Sequence, residues 1–293
     1  MATKTQGANT SSLELIPSDS GLTPARPTAL VFDSGVGGLS VYHEVRQMLP
    51  DLHYIYAFDN VAFPYGEKSE EFIVERVVEI VSAVARRHPI SIIIIACNTA
   101  STVSLPALRA RFDCPVVGVV PAIKPAAKLT RNGLVGLLAT RATVQRPYTH
   151  DLIERFATDC KILMLGSAEL VEMAEAKLHG QPIDLAVLKK ILQPWLRLRE
   201  PPDTVVLGCT HFPLLSEELS QVLPDGTRMI DSGSAIARRA QWLIATAYPD
   251  MPAVKPDVEI ESLAYCMALD SQAQSLLPVL QAYGLKTIQE LPI

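Results

Sequence analysis

IIIIACNT at residues 92–99 and TVVLGCTH at residues 204–211 share one pattern. Each segment has an apolar run of strand length, one small residue, a cysteine and then two polar residues. Strands that are apolar on both faces are typical of parallel sheets covered by helices. Ligands bind beyond the carboxyl ends of such strands, where Cys97 and Cys209 both lie. The pattern therefore predicts an α/β fold in which two thiols approach one cleft from opposite sides, if the two halves face each other.

The rest of the chain continues this alternation of strand-length apolar runs and longer amphipathic stretches. Predicted strands cover residues 28–32, 53–58, 90–96, 116–120, 134–138 and 204–208, and predicted helices cover 39–49, 70–87, 143–158, 185–199 and the residues after 214. This β–α order indicates mainly parallel sheets. The irregular segment at residues 120–125 is a candidate for the crossing of the chain into a second domain, and the chain is predicted to return to the first domain near residues 229–232. The sequence therefore predicts a first domain of residues 28–121 plus 230–293 and a second domain of residues 122–229.

The composition narrows the class of protein. With 48% hydrophobic residues, the chain of 293 residues can bury a sizeable core. Its net charge of -5 and its lack of a basic cluster disfavour nucleic-acid binding as the main task. Residues 1–27 lack the apolar stretch of a secretory signal and are predicted to form a flexible N-terminal tail. The most apolar run, residues 90–97, is too short to cross a membrane, so we expect a soluble cytoplasmic protein.

Five cysteines are scattered along the chain without a C-x-x-C pair. The odd number and the spacing disfavour a disulfide framework and a structural zinc site, so we expect free thiols and no metal. Buried cysteines are common core residues, and either member of the pair could be one. Two matching strand–cysteine–polar units weaken that explanation for Cys97 and Cys209. Cys114, Cys160 and Cys266 lack this setting and are predicted to be structural.

Two thiols that face one cleft suit the inversion of a carbon centre by proton transfer. Such a reaction needs a base on one face of the substrate and an acid on the other. One cysteine must begin as thiolate, and a free cysteine, with a pKa of about 8.5, needs a helix N-terminus or a nearby cation for this. Helices are predicted after both cysteines, and His211 lies two positions beyond Cys209. The two cysteines are therefore candidates for a catalytic acid and base.

The loop DSGVGG at residues 33–38 follows the first predicted strand. It matches neither the G-x-G-x-x-G nor the Gly-Lys-Ser/Thr pattern of nucleotide binding, but a backbone nest for a carboxylate remains open. Asp33 can act as a helper base, orient a ligand amine, or only cap the turn. The segment FPYGEKS at residues 63–69 predicts a second loop. Its proline and glycine are explained by a turn and do not by themselves indicate a binding site.

Five segments together resemble the glutamate racemase branch of the aspartate/glutamate racemase superfamily. They are DSGVGGLS at 33–40, PYG at 64–66, ACNTAS at 96–101, LATRATV at 138–144 and LGCTHFPLL at 207–215. The resemblance runs from about residue 27 nearly to the C-terminus. It implies two α/β domains related by pseudo-twofold symmetry, with the active site between them. It also implies interconversion of L- and D-glutamate without pyridoxal phosphate or metal, which supplies D-glutamate for peptidoglycan.

The resemblance also assigns roles to individual residues. It implies that Cys97 deprotonates the D-isomer and that Cys209 deprotonates the L-isomer. Asp33 and His211 match positions that assist the adjacent thiols, and Glu169 matches the auxiliary acid of the family less closely. The implied substrate contacts are Asp33, Ser34, Tyr65, Gly66, Asn98, Thr99, Thr210 and His211.

The segment at residues 167–180 and the extended N-terminus resemble a Gram-negative subgroup. Members of that subgroup can depend on UDP-N-acetylmuramoyl-L-alanine as activator, which implies an allosteric activator site here. The same segment also fits an ordinary surface helix. The resemblance leaves open a monomer or a homodimer, and an interaction with gyrase of the kind associated with some racemases.

Three other functions fit parts of the sequence. An aspartate racemase shares the two-cysteine chemistry. A thiol hydrolase could use Cys209 and His211, but it leaves Cys97 without a role. A non-catalytic regulator would bind its target even after replacement of both cysteines.

Overall fold

The computed structural model describes residues 26–249 and 262–293, and its strands form two parallel sheets. The strands are β1 (Thr28–Asp33), β2 (His53–Phe58), β3 (Ile92–Ile95), β4 (Val116–Gly118), β5 (Leu134–Ala139), β6 (Lys161–Gly166), β7 (Thr204–Leu207), β8 (Arg228–Ile230), β9 (Ser262–Cys266) and β10 (Thr287–Glu290). The first sheet has the order β10-β9-β2-β1-β3-β4, and the second has the order β6-β5-β7-β8. The predicted α/β fold with mainly parallel sheets is confirmed.

Helices follow most of the strands. They are α1 (Leu39–Met48), α2 (Glu70–Ala85), α3 (Asn98–Arg111), α4 (Ile123–Leu129), α5 (Arg141–Gln145), α6 (Pro147–Phe156), α7 (Glu169–Leu178), α8 (Leu185–Leu196), α9 (Ser216–Val222), α10 (Gly233–Ala247), α11 (Ser271–Ser275) and α12 (Leu277–Ala282). Short 3-10 turns cover Tyr65–Glu67 and Phe212–Leu215. In the described part of the chain, no helix has the length and apolar content to cross a membrane.

The apolar runs become central strands because both of their faces are covered. All four isoleucines of β3, Ile92–Ile95, are 0% exposed. Burial of each side chain contributes roughly 1.5–3 kcal/mol to folding. The neighbouring strand β1 sends Leu30 and Phe32 into one core cluster, and it sends Ala29 and Val31 into another. The first sheet therefore separates two apolar cores and is held rigidly between them.

Both sheets contain the strand order that creates a ligand crevice. In the first sheet β2 and β3 flank β1, and in the second β6 and β7 flank β5. The connection after β1 leads to β2 on one side and that after β3 leads to β4 on the other, and the connections after β5 and β7 diverge in the same way, so a crevice opens at the carboxyl ends of each pair. Asp33 and Cys97 lie at the crevice of the first sheet, and Thr140 and Cys209 lie at that of the second. This shared arrangement explains the repeated sequence pattern.

Two local predictions are wrong. The helix predicted over residues 143–158 is divided into α5 and α6, because Pro147 lacks an N–H and begins the second helix. The helix predicted after residue 214 is α9, which begins at Ser216 after a 3-10 turn. Pro27 does not belong to a flexible tail, since it is buried and its carbonyl accepts a hydrogen bond from the His53 N–H. Residues 1–25 of that predicted tail lie outside the described residues.

The predicted division into domains follows the strands closely. The first sheet takes its strands from Thr28–Gly118 and Ser262–Glu290, and the second takes them from Leu134–Ile230. Helix α10 packs with α1 in a core cluster of the first sheet. We propose the division at residues 121/122 as predicted, and we propose that the second domain ends after Ile230 because this residue pairs within the second sheet.

Candidate active site

The two crevices form one cleft of about 300 Å³ between the sheets. Its lining includes the predicted residues Ser34, Tyr65, Gly66, Cys97, Asn98, Thr99, Cys209, Thr210 and His211. Asp33 lies beneath this surface and is 0% exposed. Thr140, Arg141 and Thr143 also line the cleft, although no individual role was predicted for them. The fold thus brings both thiols of the predicted pair to one cavity.

Cys97 is the N-cap of α3, the helix that follows β3. Its Sγ accepts a hydrogen bond from the Ala100 N–H at 3.4 Å and lies 3.5 Å from Oγ of Ser34. Burial raises the pKa of the Cys97 thiol to about 12, and the nearby Asp33 carboxylate adds to this, while the two hydrogen bonds oppose it. At neutral pH Cys97 is therefore protonated and can donate a proton.

Cys209 has a different set of partners. Its Sγ lies 3.8 Å from Nδ1 of His211, and Nε2 of His211 lies 2.6 Å from Oε1 of Glu175. Burial of the ring lowers the pKa of His211, but the hydrogen bonds to Cys209 and Glu175 outweigh burial and hold that pKa well above its usual value. An imidazolium therefore lies beside Sγ of Cys209.

The Asp33 carboxylate joins the two sides of the cleft. It accepts hydrogen bonds from the Gly35 N–H at 2.9 Å and from the Thr210 hydroxyl at 3.0 Å. Burial raises the pKa of Asp33 to about 6, against the lowering effects of the His211 charge and of these two hydrogen bonds. Because Thr210 directly follows Cys209, this carboxylate fixes the second thiol relative to the first sheet.

The cleft also offers polar groups to a ligand. Asn98 is buried, and its Oδ1 has no hydrogen-bond partner among the described residues. A buried acceptor without a partner costs on the order of 1–3 kcal/mol, which a ligand N–H can recover. The hydroxyls of Ser34, Thr99 and Thr210 line the same cavity. Hydroxyl groups donate well to carboxylates, so the cleft fits a small acidic molecule with an ammonium group.

This arrangement can transfer protons at two faces of a bound molecule. Cys97 is protonated and Cys209 lies beside an imidazolium, so the two thiols have different electrostatic surroundings before a ligand binds. Within residues 26–249 and 262–293, no group of three or more His, Cys, Asp or Glu side chains could hold a metal ion.

Known proteins share this arrangement of sequence and fold. A family model described as Asp/Glu/Hydantoin racemase matches residues 34–240. The chain belongs to this racemase family. It is 72% identical to the glutamate racemase of Serratia proteamaculans over 293 residues, which is the whole length of both chains. The predicted resemblance to the aspartate/glutamate racemase superfamily is confirmed.

Solved racemase structures have the same fold. The crystal structure of Escherichia coli glutamate racemase in complex with L-glutamate and the activator UDP-MurNAc-ala is 70% identical in sequence, with a TM-score of 0.85 over 91% of this chain and 98% of that chain. Glutamate racemase from Bacillus anthracis is 27% identical, with a TM-score of 0.73 over 91% of this chain and 98% of that chain. The two-domain racemase architecture therefore extends to distant sequences.

The structure does not bring the predicted auxiliary acid, Glu169, to the thiols. Glu169 is exposed at the first position of α7, and it does not line the cleft. The carboxylate that contacts His211 is Glu175, six residues later on the same helix. Six residues are not a whole number of helical turns, so the two side chains point in different directions. We therefore propose that Glu175, and not Glu169, is the auxiliary acid of the family in this chain.

The three remaining cysteines lie away from the cleft. Sγ of Cys160 lies 3.5 Å from the Ala127 carbonyl oxygen, and Sγ of Cys266 lies 3.5 Å from the Gln289 carbonyl oxygen. Burial raises the pKa of Cys114, Cys160 and Cys266. Each is therefore a thiol at neutral pH, and their structural role stays a prediction.

Proposed function

We propose that this chain interconverts L-glutamate and D-glutamate, with Cys97 and Cys209 acting on opposite faces of the α-carbon. The observation that carries the proposal is the pair of thiols at equivalent strand ends in one cleft. One thiol is protonated because it is buried, and the other lies beside an imidazolium. The full-length relatives described above support glutamate as the substrate. The reaction supplies D-glutamate for peptidoglycan.

The two thiols exchange roles in each turnover. L-Glutamate binds with its α-proton toward Cys209, whose thiolate takes that proton, so that the Cα–H bond breaks and an S–H bond forms. The carbanion left behind spreads its charge into the α-carboxylate. Cys97 then gives its proton to the opposite face, which forms D-glutamate and leaves Cys97 as thiolate. D-Glutamate reacts through the same steps in reverse.

The α-proton is weakly acidic, so the cleft must lower the barrier by positioning and by exclusion of water. Contacts between the two sheets support such positioning. The Ser40 hydroxyl donates a hydrogen bond to the Thr210 carbonyl at 2.8 Å, in addition to the bond between Thr210 and Asp33. The His211 ring packs against Phe63 with 5.7 Å between ring centres. These contacts fix the positions of the second thiol and its histidine relative to the first thiol.

Racemisation in deuterated water tests this reaction. Cys97 exchanges its proton with solvent before it acts, so D-glutamate formed early from L-glutamate should carry deuterium at Cα. The L-glutamate recovered at the same time should carry almost none. Mass spectrometry of the separated isomers measures both, and equal early labelling would contradict a two-base reaction. Turnover of aspartate in place of glutamate would indicate an aspartate racemase, and an acyl group on Cys209 would indicate a thiol hydrolase.

Gly37 leaves the space that the His211 ring occupies. A Cβ at this position would overlap Nδ1 and Cγ of the ring, which would have to turn away from Cys209. We expect Gly37→Ala to lower kcat/KM about tenfold to a hundredfold, the range typical for loss of acid–base assistance. Steady-state assays and circular dichroism check this. Full activity of the folded variant would show that the ring position is unimportant.

We also propose that UDP-N-acetylmuramoyl-L-alanine activates this enzyme, since the E. coli relative was solved with this activator. A groove of about 650 Å³ outside the cleft supports the proposal, and Arg109 and Arg239 line it. The Arg239 guanidinium lies 4.5 Å from the ring centre of the exposed Trp242. One arginine side chain can bind two oxygens of a phosphate at the same time, and an aromatic ring can stack on a nucleobase. The two arginines of the groove therefore suit a diphosphate, and Trp242, which does not line the groove itself, offers an aromatic ring next to Arg239.

Substitution of either arginine tests the location of the activator. Arg109→Gln and Arg239→Gln should each raise the activator concentration for half-maximal activity about tenfold, because each loses a charged hydrogen bond. Arg238→Gln is the matched control, since Arg238 is exposed on the same helix and does not line the groove. Titration of activator in a racemase assay measures the shift. Unchanged values in both variants would place the activator elsewhere.

We further propose that the enzyme works in the cytoplasm, where precursors of peptidoglycan are assembled. The interaction with gyrase and the choice between monomer and homodimer stay predictions.

A further inference from the structure

Tyr56 is a buried tyrosine that contacts the loop of residues 33–38 from the side of the core. It lies on β2, where it pairs with Val31 of β1, and its side chain is 0% exposed. Its hydroxyl donates a hydrogen bond to the Gly35 carbonyl oxygen at 2.9 Å. Tyr56 does not line the cleft, whereas Ser34 of the same loop does. Tyr56 therefore contacts the active-site loop without reaching the substrate.

The ring of Tyr56 has a fixed position in the core cluster of the first sheet. Its centre lies 6.0 Å from that of Tyr42, with 72° between the ring planes, and 6.0 Å from that of Phe58. Such aromatic pairs favour particular ring orientations, and a close-packed core resists displacement of a large side chain. The hydroxyl is therefore held at one place beneath the loop.

This hydroxyl fixes the orientation of the peptide group between Gly35 and Val36. The Gly35 carbonyl and the Val36 N–H belong to one planar unit, so a bond at the oxygen also directs the N–H. The Val36 N–H donates a hydrogen bond to Oε1 of Glu175 at 3.5 Å, across the cleft in the second domain. Because glycine restricts the backbone little, the peptide group needs such partners to keep one orientation.

The preceding part of the loop carries the groups that face the first thiol. The Gly35 N–H donates a hydrogen bond to Oδ1 of Asp33 at 2.9 Å, and Oγ of Ser34 lies 3.5 Å from Sγ of Cys97. Rotation of the backbone at Gly35 would move both this N–H and Ser34. The bond from Tyr56 to Gly35 thus restrains the loop at the residue on which the positions of Asp33 and Ser34 depend.

We propose that Tyr56 is a positioning residue of the racemase reaction, whose hydroxyl holds the loop of residues 33–38 in the conformation that presents Asp33 and Ser34 to the cleft. This proposal rests on the proposed two-base reaction. Tyr56 moves no proton itself. Burial raises its pKa well above the usual value, and the nearby carboxylates of Asp33 and Glu175 add to this, so it stays a neutral phenol that donates its hydrogen bond.

Tyr54 provides a matched control on the same strand. It is also buried, its ring also packs against Tyr42, and its hydroxyl donates a hydrogen bond to the Leu49 carbonyl oxygen at 2.6 Å. Leu49 is the C-cap of α1, the helix that follows the loop, and the ten residues of this helix separate Leu49 from the loop by about 15 Å. Tyr54→Phe therefore removes the same chemical group from the same core without touching the loop.

Comparison of Tyr56→Phe with Tyr54→Phe tests the proposal. Each variant loses one buried hydrogen bond, so thermal unfolding should show similar losses of stability. We expect kcat/KM to fall about tenfold in Tyr56→Phe, in both directions of the reaction, and less than about twofold in Tyr54→Phe. An equal change of activity in the two variants, or full activity of Tyr56→Phe, would overturn the proposal.

The pH dependence of kcat/KM gives a second readout, which a general loss of stability would not move. The Gly35 N–H bond lowers the pKa of Asp33 against the effect of burial, so a loosened loop should raise that pKa from about 6. The acidic limb of the profile should therefore move to higher pH by roughly 0.5–1 pH unit in Tyr56→Phe only. His211, Glu175 and Cys97 also face Asp33, and all three are present in both variants. An unmoved limb would contradict the proposal.

Amide hydrogen exchange measured by NMR keeps the test decisive even if Tyr56→Phe does not fold. In the wild-type enzyme, the N–H groups of Gly35 and Val36 should exchange slowly, because the loop is held in one conformation. Exchange should become faster at both residues in folded Tyr56→Phe and stay unchanged in Tyr54→Phe. Rapid exchange at Gly35 and Val36 in the wild-type enzyme would show that the loop is not held, and the proposal would be wrong.

Failure of this proposal can be distinguished from failure of the two-base reaction. If only the role of Tyr56 is wrong, the wild-type enzyme still labels product and not substrate in deuterated water, while Tyr56→Phe behaves like Tyr54→Phe. If the two-base reaction is wrong, that labelling pattern is absent from the wild-type enzyme itself.

Discussion

Replacement of either cleft cysteine by serine should lower kcat/KM about a thousandfold or more, in both directions of the reaction. Serine fits the space, but its hydroxyl is far too weak an acid to serve as the base at neutral pH. Each thiol acts once in every turnover, as acid or as base, so Cys97→Ser and Cys209→Ser should be impaired alike. The ratio of kcat/KM for L- and D-glutamate must stay equal to the equilibrium constant, so neither variant can keep one direction alone.

Steady-state assays with each isomer measure this loss, and circular dichroism confirms that the variants fold. Cys160→Ser is the matched control, because Cys160 lies away from the cleft with its Sγ near the Ala127 carbonyl oxygen, and a serine hydroxyl can keep that bond. The control should retain nearly full activity. Substantial racemisation by Cys97→Ser or Cys209→Ser would contradict the assignment of that residue.

Replacement of Asp33 by asparagine should lower activity and stabilise the fold. The Asp33 pKa is raised by burial from 3.8 to about 6, so the folded state favours the neutral form. Stability from this group is fully present below pH 3.8 and is lost as pH rises through about 6. At pH 7 the ionised carboxylate therefore costs about 1–3 kcal/mol, since each pKa unit corresponds to about 1.4 kcal/mol. The uncharged amide of the Asp33→Asn variant avoids this cost.

The same charge is needed in the reaction, because it supports the imidazolium of His211 and holds Thr210 beside the second thiol. We expect Asp33→Asn to lose about a hundredfold in kcat/KM. We also expect wild-type activity to decline as pH falls through about 6, because Asp33 becomes protonated, and we expect the variant to lack this decline. Urea unfolding at pH 7 and at pH 4 measures the stability gain, which should be present only at pH 7. A less stable variant at pH 7 would contradict the account.

Much of the site could be predicted because its residues directly follow buried strands. Cys97 follows β3 and Cys209 follows β7, and each strand is an unbroken apolar run that marks a central position in a parallel sheet. Asn98, Thr99, Thr210 and His211 are adjacent to the thiols along the chain, so the strand ends place them at the cleft as well.

Features that depend on the packing of separate elements could not be predicted. Glu175 contacts His211 across 36 residues, and the direction in which α7 points it depends on how that helix packs. The edge strand β10 has mostly exposed residues, and its sequence, TIQE at residues 287–290, lacks a strong apolar signal. The burial of Leu170, Val171 and Ala174 on α7 does mark the helix face next to Glu175. The helical spacing of these three apolar residues is the local signal that favours Glu175 over Glu169.

The most direct test of the paired thiols uses 3-chloroglutamate, which loses chloride once its α-proton is removed and so needs a base but no acid. Cys97→Ala keeps Cys209 and should eliminate chloride from the L-isomer only, whereas Cys209→Ala should do so from the D-isomer only. Chloride release by each variant with each isomer is the measurement. Opposite isomer preferences of the two variants are the predicted result, and elimination of the same isomer by both variants would contradict the claim that the thiols act on opposite faces.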